Sequence, residues 1–183
     1  MKKKLFSVFT AILMAVLVVS EAGAGGFSIR TRLGSFLADV TAWGLPNNTD
    51  YTFTLNVSGV ASVLCTNKGN NPAPGQNSPH VDGTDTNNIK PKDILKGGKV
   101  VTTLEAKPDL ELHPEMSGEE GGCPNSNWRA KVDFIYWQTA EFVVKNVTTG
   151  EETTYKFTCV TTRTGPNSTP STFDDGKLTC TPV

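Results

Sequence analysis

The chain reads as an all-β protein, an antiparallel β-sandwich of the immunoglobulin-like kind held by two disulfides. Three observations predict this. Thr, Val, Phe and Tyr dominate short runs separated by Gly, Pro, Asn and Asp, a composition that suits half-buried strands and tight turns. Helix signals are nearly absent. Residues 51–58 alternate without a break: Tyr51, Phe53, Leu55 and Val57 against Thr52, Thr54, Asn56 and Ser58. Successive strand side chains point to opposite faces, so one face of this segment is apolar and the other polar.

The first 24 residues read as a secretory leader. Lys2, Lys3 and Lys4 form a positive start, residues 5–19 are apolar except Ser7 and Thr10, and Ala22-Gly23-Ala24 is a small-x-small cleavage pattern. The apolar run is shorter than the roughly 20 residues that span a bilayer. The expected organisation is a signal peptide over 1–24 and one β-sandwich domain over 25–183. The leader and cleavage pattern look bacterial, and the mature protein is expected to be secreted and extracellular.

The remaining elements follow in order. Residues 36–43 form a strand, joined to 51–58 by a Pro- and Asn-containing turn. Residues 60–66 continue toward Cys65. Residues 92–97 are the one short helix candidate, with Gly97 as its stop. Further strands are expected at 98–107, 130–137, 141–147, 153–161 and 177–181. The Thr148-Thr149-Gly150-Glu151 connection makes 141–147 and 153–161 a hairpin. Two polar segments resist strand assignment, 66–91 and the acidic, Gly-rich 108–127. Loops of such length tend to carry function.

Removing the leader from 183 residues leaves 159, the size of one domain. The whole chain has 17 basic and 18 acidic side chains. The leader holds three Lys and Glu21, so the mature chain has 14 and 17 and a net charge of −3. Without a basic excess, no nucleic acid and no membrane partner is expected after cleavage.

Cys65, Cys123, Cys159 and Cys180 are an even set in an exported chain, which points to two disulfides. Four cysteines allow three pairings. We favour Cys65–Cys123 and Cys159–Cys180, the second clamping the Gly/Pro/Ser/Thr-rich excursion at 163–176. No pair shows the close spacing of a zinc site.

Catalytic signals are thin. The only histidines are His80 and His113, neither GxSxG nor HExxH occurs, and scattered carboxylates say nothing without geometry. The expectation is therefore a non-catalytic binding or structural protein, making adhesion, extracellular-matrix or envelope contacts through its polar loops. The candidate contact residues are Gln76, Asn77, His80, Asp82 and Asp85, with Trp128 as aromatic anchor. A second reading is a carbohydrate-binding module using Tyr136 and Trp137 as stacking rings, with calcium as an accessory. A third is a secreted hydrolase using carboxylates. No cofactor is otherwise expected. Asp82, Asp85 and Asn87 form the candidate calcium set, because they offer hard oxygens in one stretch; Asp174 and Asp175 form another. Burial is the favoured reading for Trp137, with exposure the alternative; Trp43 and Trp128, which flank turns, either plug the sandwich ends or stand exposed in the same way. The partner is an extracellular protein or glycan, and the oligomeric state is left open.

Cys65-Thr66-Asn67-Lys68-Gly69-Asn70-Asn71, then Pro74-Gly75-Gln76-Asn77, then Cys123-Pro124-Asn125-Ser126-Asn127-Trp128 resembles a pattern in small secreted bacterial proteins, actinobacterial in type. The resemblance implies a secreted, disulfide-bonded β-protein and transfers no catalytic or binding residue. The acidic 115–122 segment departs from it.

Overall fold

A computed structural model of the protein describes residues 23–32, 34–75, 78–109, 116–162 and 177–183. Most of the expected leader, Gln76 and Asn77, His113 within 110–115, and the 163–176 excursion with Asp174 and Asp175 lie outside the described residues. Among the described residues, the strands are β1 (Gly23–Arg32), β2 (Ser35–Trp43), β3 (Tyr51–Thr66), β4 (Pro72–Pro74), β5 (His80–Ile89), β6 (Val100–Pro108), β7 (Met116–Ser117), β8 (Arg129–Asn146), β9 (Glu152–Thr162) and β10 (Lys177–Pro182). Every pairing is antiparallel, and the order is β1-β2-β6-β5-β3-β8-β9-β10, with β4 on β3 and β7 on β8. The end strands β1 and β10 approach one another, so the sheet is barrel-like. The all-β antiparallel class expected from the sequence holds, and the immunoglobulin-like sandwich is not confirmed.

β3 organises the sheet. Its odd-numbered residues from Tyr51 to Cys65 are all buried, as the alternation predicts. β8 pairs with β3 along its whole length, while β5 and then β4 share the other edge. β8 is one strand, although the sequence reads as two at 130–137 and 141–147. It carries two extra residues relative to β3: Asp133, between the partners of Val63 and Ser62, and Gln138, between those of Gly59 and Ser58. Each such bulge flips the side-chain alternation. Ala130 and Val132 face the core, then Ile135 and Trp137, then Ala140, Phe142 and Val144.

The second bulge needs Gly59. A Cβ there would lie 2.3 Å from the Tyr136 carbonyl oxygen, so no other residue allows this approach. The core built around these strands includes edge-to-face contacts of Phe27 with Phe142 and Phe157, and of Phe36 with Trp137.

β5 corrects the expectation that 66–91 is a loop. Asp and Asn disfavour strands, yet β5 pairs with β3 over ten residues. Val81 and Ile89 anchor it in the core. Its outward side chains are bonded across to β3: Thr52 to Asn88 at 3.2 Å, Thr54 to Thr86 at 3.3 Å and Thr84 to Asn56 at 3.0 Å. Cross-strand pairs of this kind add about 0.2–1 kcal/mol each. β1 was also not foreseen. The helix candidate at 92–97 is instead a single 3-10 turn at Pro91–Asp93, started by Pro91 and stopped by the extended Ile94.

Both favoured disulfides are present. Cys65–Cys123 ties the end of β3 to the 118–128 turns, and Cys159–Cys180 links directly paired residues of β9 and β10. One pole therefore carries the described parts of the β3–β4 connection and the 118–128 turns. The opposite pole carries the β2–β3, β5–β6 and β8–β9 connections.

An ion pair fastens the β1 edge. The Arg30 guanidinium donates to Asp39, and Thr103 Oγ1 donates to the other Asp39 oxygen at 2.6 Å. These hydrogen bonds, Arg30 first, outweigh the desolvation of Asp39 and hold its carboxyl below its ordinary value of 3.8. A depressed carboxylate contributes stability above its unfolded pKa, and that contribution is lost as pH falls through the folded value. Asp39→Asn is thus expected to lower the melting temperature by a few degrees at neutral pH. The difference from the parent should close in strong acid, and a gap that persists there would mean the charge is not what Asn removes.

Candidate functional site

The outer face of β5, β3, β8 and β9 carries two cross-strand rows of polar side chains. In the first, Lys107 on β6 stands opposite Thr84, Thr84 opposite Asn56, Asn56 opposite Glu141, and Glu141 opposite Lys156. Thr84 donates to Asn56, and the Lys156 ammonium lies 3.4 Å from Glu141. In the second, Asp82 stands opposite Ser58, Ser58 opposite Thr139, and Thr139 opposite Thr158. Asp109 closes this row at β5: its Oδ1 accepts the Asp82 N–H at 2.9 Å, and its own N–H donates to the Asp82 carbonyl at 2.7 Å. The two rows line an open depression of about 770 Å3, with Val183 at its rim.

Antiparallel pairing explains this arrangement. Residues directly opposite one another project to the same face, so the polar half of the β3 alternation collects the polar halves of its neighbours. The depression offers ammonium and hydroxyl donors beside carboxylate and amide acceptors, all within a few strand spacings.

No protein-family model matches the chain, nor does any curated protein or solved structure.

His80 joins the second row. Its Nε2 lies 3.3 Å from Ser58 Oγ and 3.1 Å from Asp82 Oδ1. Serine, histidine and aspartate are thus adjacent, but not as a catalytic relay. A relay takes the serine proton on one imidazole nitrogen while the carboxylate holds the other; here both contacts fall on the same nitrogen. His80 and Asp82 are also well exposed, at 64% and 58% of their side chains, which leaves water free to compete.

The other expected residues scatter. Asp85 stands opposite Leu55 and Asn87 opposite Phe53, on the inward side of β5. Asp85 accepts the Glu105 N–H at 2.7 Å and the Thr86 N–H at 2.9 Å, and Asn87 donates to Thr102 at 2.7 Å. Beyond Gly83 and Thr84, β5 and β6 share no backbone register, and these side chains bridge the gap. The candidate calcium set is therefore split by the pleat: Asp82 lies on one face, Asp85 and Asn87 on the other, and the latter two are engaged in structure.

Trp137 is buried to 1% exposure, with its indole N–H donating to the Gly34 carbonyl at 3.1 Å, so it presents no stacking face. Tyr136 is half-buried against Phe134, ring to ring at 4.8 Å. Trp128 is half-exposed at the Cys123 pole, in a shallow pocket of about 370 Å3 with Asn67, Lys68, Asn125 and Asn127. Trp43 does not plug its end of the barrel; it is 44% exposed.

Asn56, Ser58, Thr139, Glu141, Lys156 and Thr158 were not singled out from the sequence. Only the first two carry a signal there, their place on the polar side of the β3 alternation.

Proposed function

We propose that the chain is an exported, non-catalytic adhesion protein of the cell envelope or extracellular matrix, which holds a polysaccharide segment across the outer face of β5, β3, β8 and β9. The observation that carries this reading is the polar depression. Its lining sets hydroxyl, amide, ammonium and carboxylate groups around exposed apolar surface, the mixture a sugar ring presents with its hydroxyls and its C–H face. An ordinary protein interface centres on aromatic and aliphatic anchors, and the large exposed apolar side chains lie mostly elsewhere. Secretion is supported by the leader pattern and by two disulfides, which persist in oxidising compartments. The kinship with small secreted bacterial β-proteins belongs to the same reading. So does the immunoglobulin-like sandwich: β1-β2-β6 joins the rest of the sheet through only two register pairs, leaving two nearly separate leaves.

An oligosaccharide array, followed by titration calorimetry on the strongest hit, tests the site. Asp82→Ala and Glu141→Gln are each expected to weaken binding about tenfold, the loss of one or two hydrogen bonds to a polar ligand, with the melting temperature kept. Binding that survives both substitutions would remove the site from the face. A second reading places the sugar at Trp128 and its ring of Asn67, Asn125 and Asn127; Trp128→Ala would then abolish binding that Asp82→Ala leaves intact.

A further inference from the structure

We propose that the pole formed by the β2–β3, β5–β6 and β8–β9 connections docks onto an anionic phospholipid bilayer. This site is separate from the polar depression and does not depend on it.

Among the described residues, six large apolar side chains are exposed, and four of them stand at or beside this pole: Trp43 (44%), Leu95 (56%), Val101 (60%) and Val147 (53%). Trp43 ends β2. Val101 stands near the start of β6, opposite Thr41, so it shares the outer face with Trp43. Leu95 tips the β5–β6 connection, and Val147 tips the β8–β9 connection.

These tips are held firmly. Leu95 and Lys99 close a tight turn by a backbone bond of 2.7 Å. Gly98, at φ +73°, lets that turn lie against the β2–β3 connection, where Leu45 N–H reaches the Gly98 carbonyl at 3.1 Å. Val147 N–H bonds the Asp50 carbonyl at 2.9 Å. Exposure here is therefore a built feature of a rigid end.

The β5–β6 connection is the basic side of this pole. Residues 90–99 hold four lysines and one acidic residue, Asp93, which caps the Lys90 N–H at 3.0 Å. Lys90 pairs with Asp50 at 2.6 Å and Lys145 with Glu152 at 2.6 Å. Lys92, Lys96 and Lys99 make no ion pair among the described residues. Glu151 sits on the β8–β9 side, so the β5–β6 side, with Leu95, leads the approach.

Trp43 at the end of β2, Leu95 and Val147 on the two other connections, and the lysines of residues 90–99 make this end both apolar and basic. A protein partner would have to supply a matched surface of about 800 Å2 to bind stably. A bilayer interface has no such demand: tryptophan and leucine enter the headgroup boundary while lysines stay at the phosphates. The net negative charge of the whole chain argues against membrane attachment only as an average; the Debye length of about 8 Å makes the local charge decisive.

Vesicle flotation of the purified protein tests this at low salt, with equimolar phosphatidylcholine and phosphatidylglycerol against phosphatidylcholine alone. Flotation is expected with the anionic vesicles only. Replacing Lys92, Lys96 and Lys99 together by Glu should lower partitioning on the order of a hundredfold or more. Leu95→Asp should lower it about tenfold. Brominated acyl chains should quench a tryptophan signal that disappears in Trp43→Phe. Lys99 is half-buried and the other side chains are exposed; an unchanged urea midpoint certifies each variant as folded. Failure to float with anionic vesicles, or flotation indifferent to the lysine substitutions, overturns the proposal. Flotation without quenching also overturns it, leaving a polyanion-binding patch in place of a bilayer-docking pole.

Discussion

Trp137→Ala is expected to lose about 4 kcal/mol of folding stability, within the range for emptying a large aromatic site. The side chain is 1% exposed, meets Phe36 edge-on and satisfies the Gly34 carbonyl. Its removal leaves a cavity between β8 and β2 and takes the indole partner from the part-buried Gly34 carbonyl. For a domain of this size the melting temperature should fall by roughly 10 °C or more. Trp137→Phe should cost less, because the ring is kept and only the N–H is lost. Urea unfolding of the two variants checks the order. A Trp137→Ala protein that melts within about 2 °C of the parent, well inside the expected loss, would put the indole outside the core. A loss of sugar binding at unchanged stability would return it to the surface as a stacking ring.

Removing Cys65–Cys123 should be as severe. The bridge closes a separation of 58 residues that includes β4, β5, β6 and β7. Chain entropy assigns such a loop roughly 4 kcal/mol, against about 3 kcal/mol for the 21-residue separation of Cys159–Cys180. The local consequences differ too. Cys65 is fully buried, and its bridge pins the 118–128 turns and the Trp128 pocket to the end of β3. The second bridge joins two strands that already pair, so its loss should loosen β10 and little else. The Cys65→Ala/Cys123→Ala protein is expected to unfold at distinctly lower urea than the Cys159→Ala/Cys180→Ala protein. Unreduced peptide mapping must also yield only these two linkages; a Cys65–Cys159 peptide would break the register of β3 and β9.

How much of this was legible depended on whether a signal was local. The β3 alternation is written in eight consecutive residues, and its buried face came out as read. The hairpin at Thr148-Thr149-Gly150-Glu151 was equally local, with Gly150 at φ +75° supplying the turn. β5 was not legible, because its side chains are those of a loop. It is a strand because β3 offers a hydroxyl or amide to three of its outward groups, Thr84, Thr86 and Asn88. Nor was the course of β8, whose alternation fails at two bulges that exist only relative to β3. Those bulges turned Trp137 inward and left Tyr136 on the outer side. The calcium grouping failed for a related reason: proximity in sequence along a strand is division in space, since the pleat sends Asp82 and Asp85 to opposite faces.

The amino-acid sequence by itself determined the antiparallel β class, the buried face of its longest clean strand, and four cysteines whose favoured pairing is the one the fold adopts. These follow from backbone alternation and turn chemistry, which act over a few residues. Only the tertiary structure decided which polar faces adjoin, that β5 is a strand, that the sheet is barrel-like, and that Trp43 is exposed while Trp137 is buried. Those outcomes rest on register between strands far apart in the chain, and register is set by pairing partners that no short stretch of sequence contains.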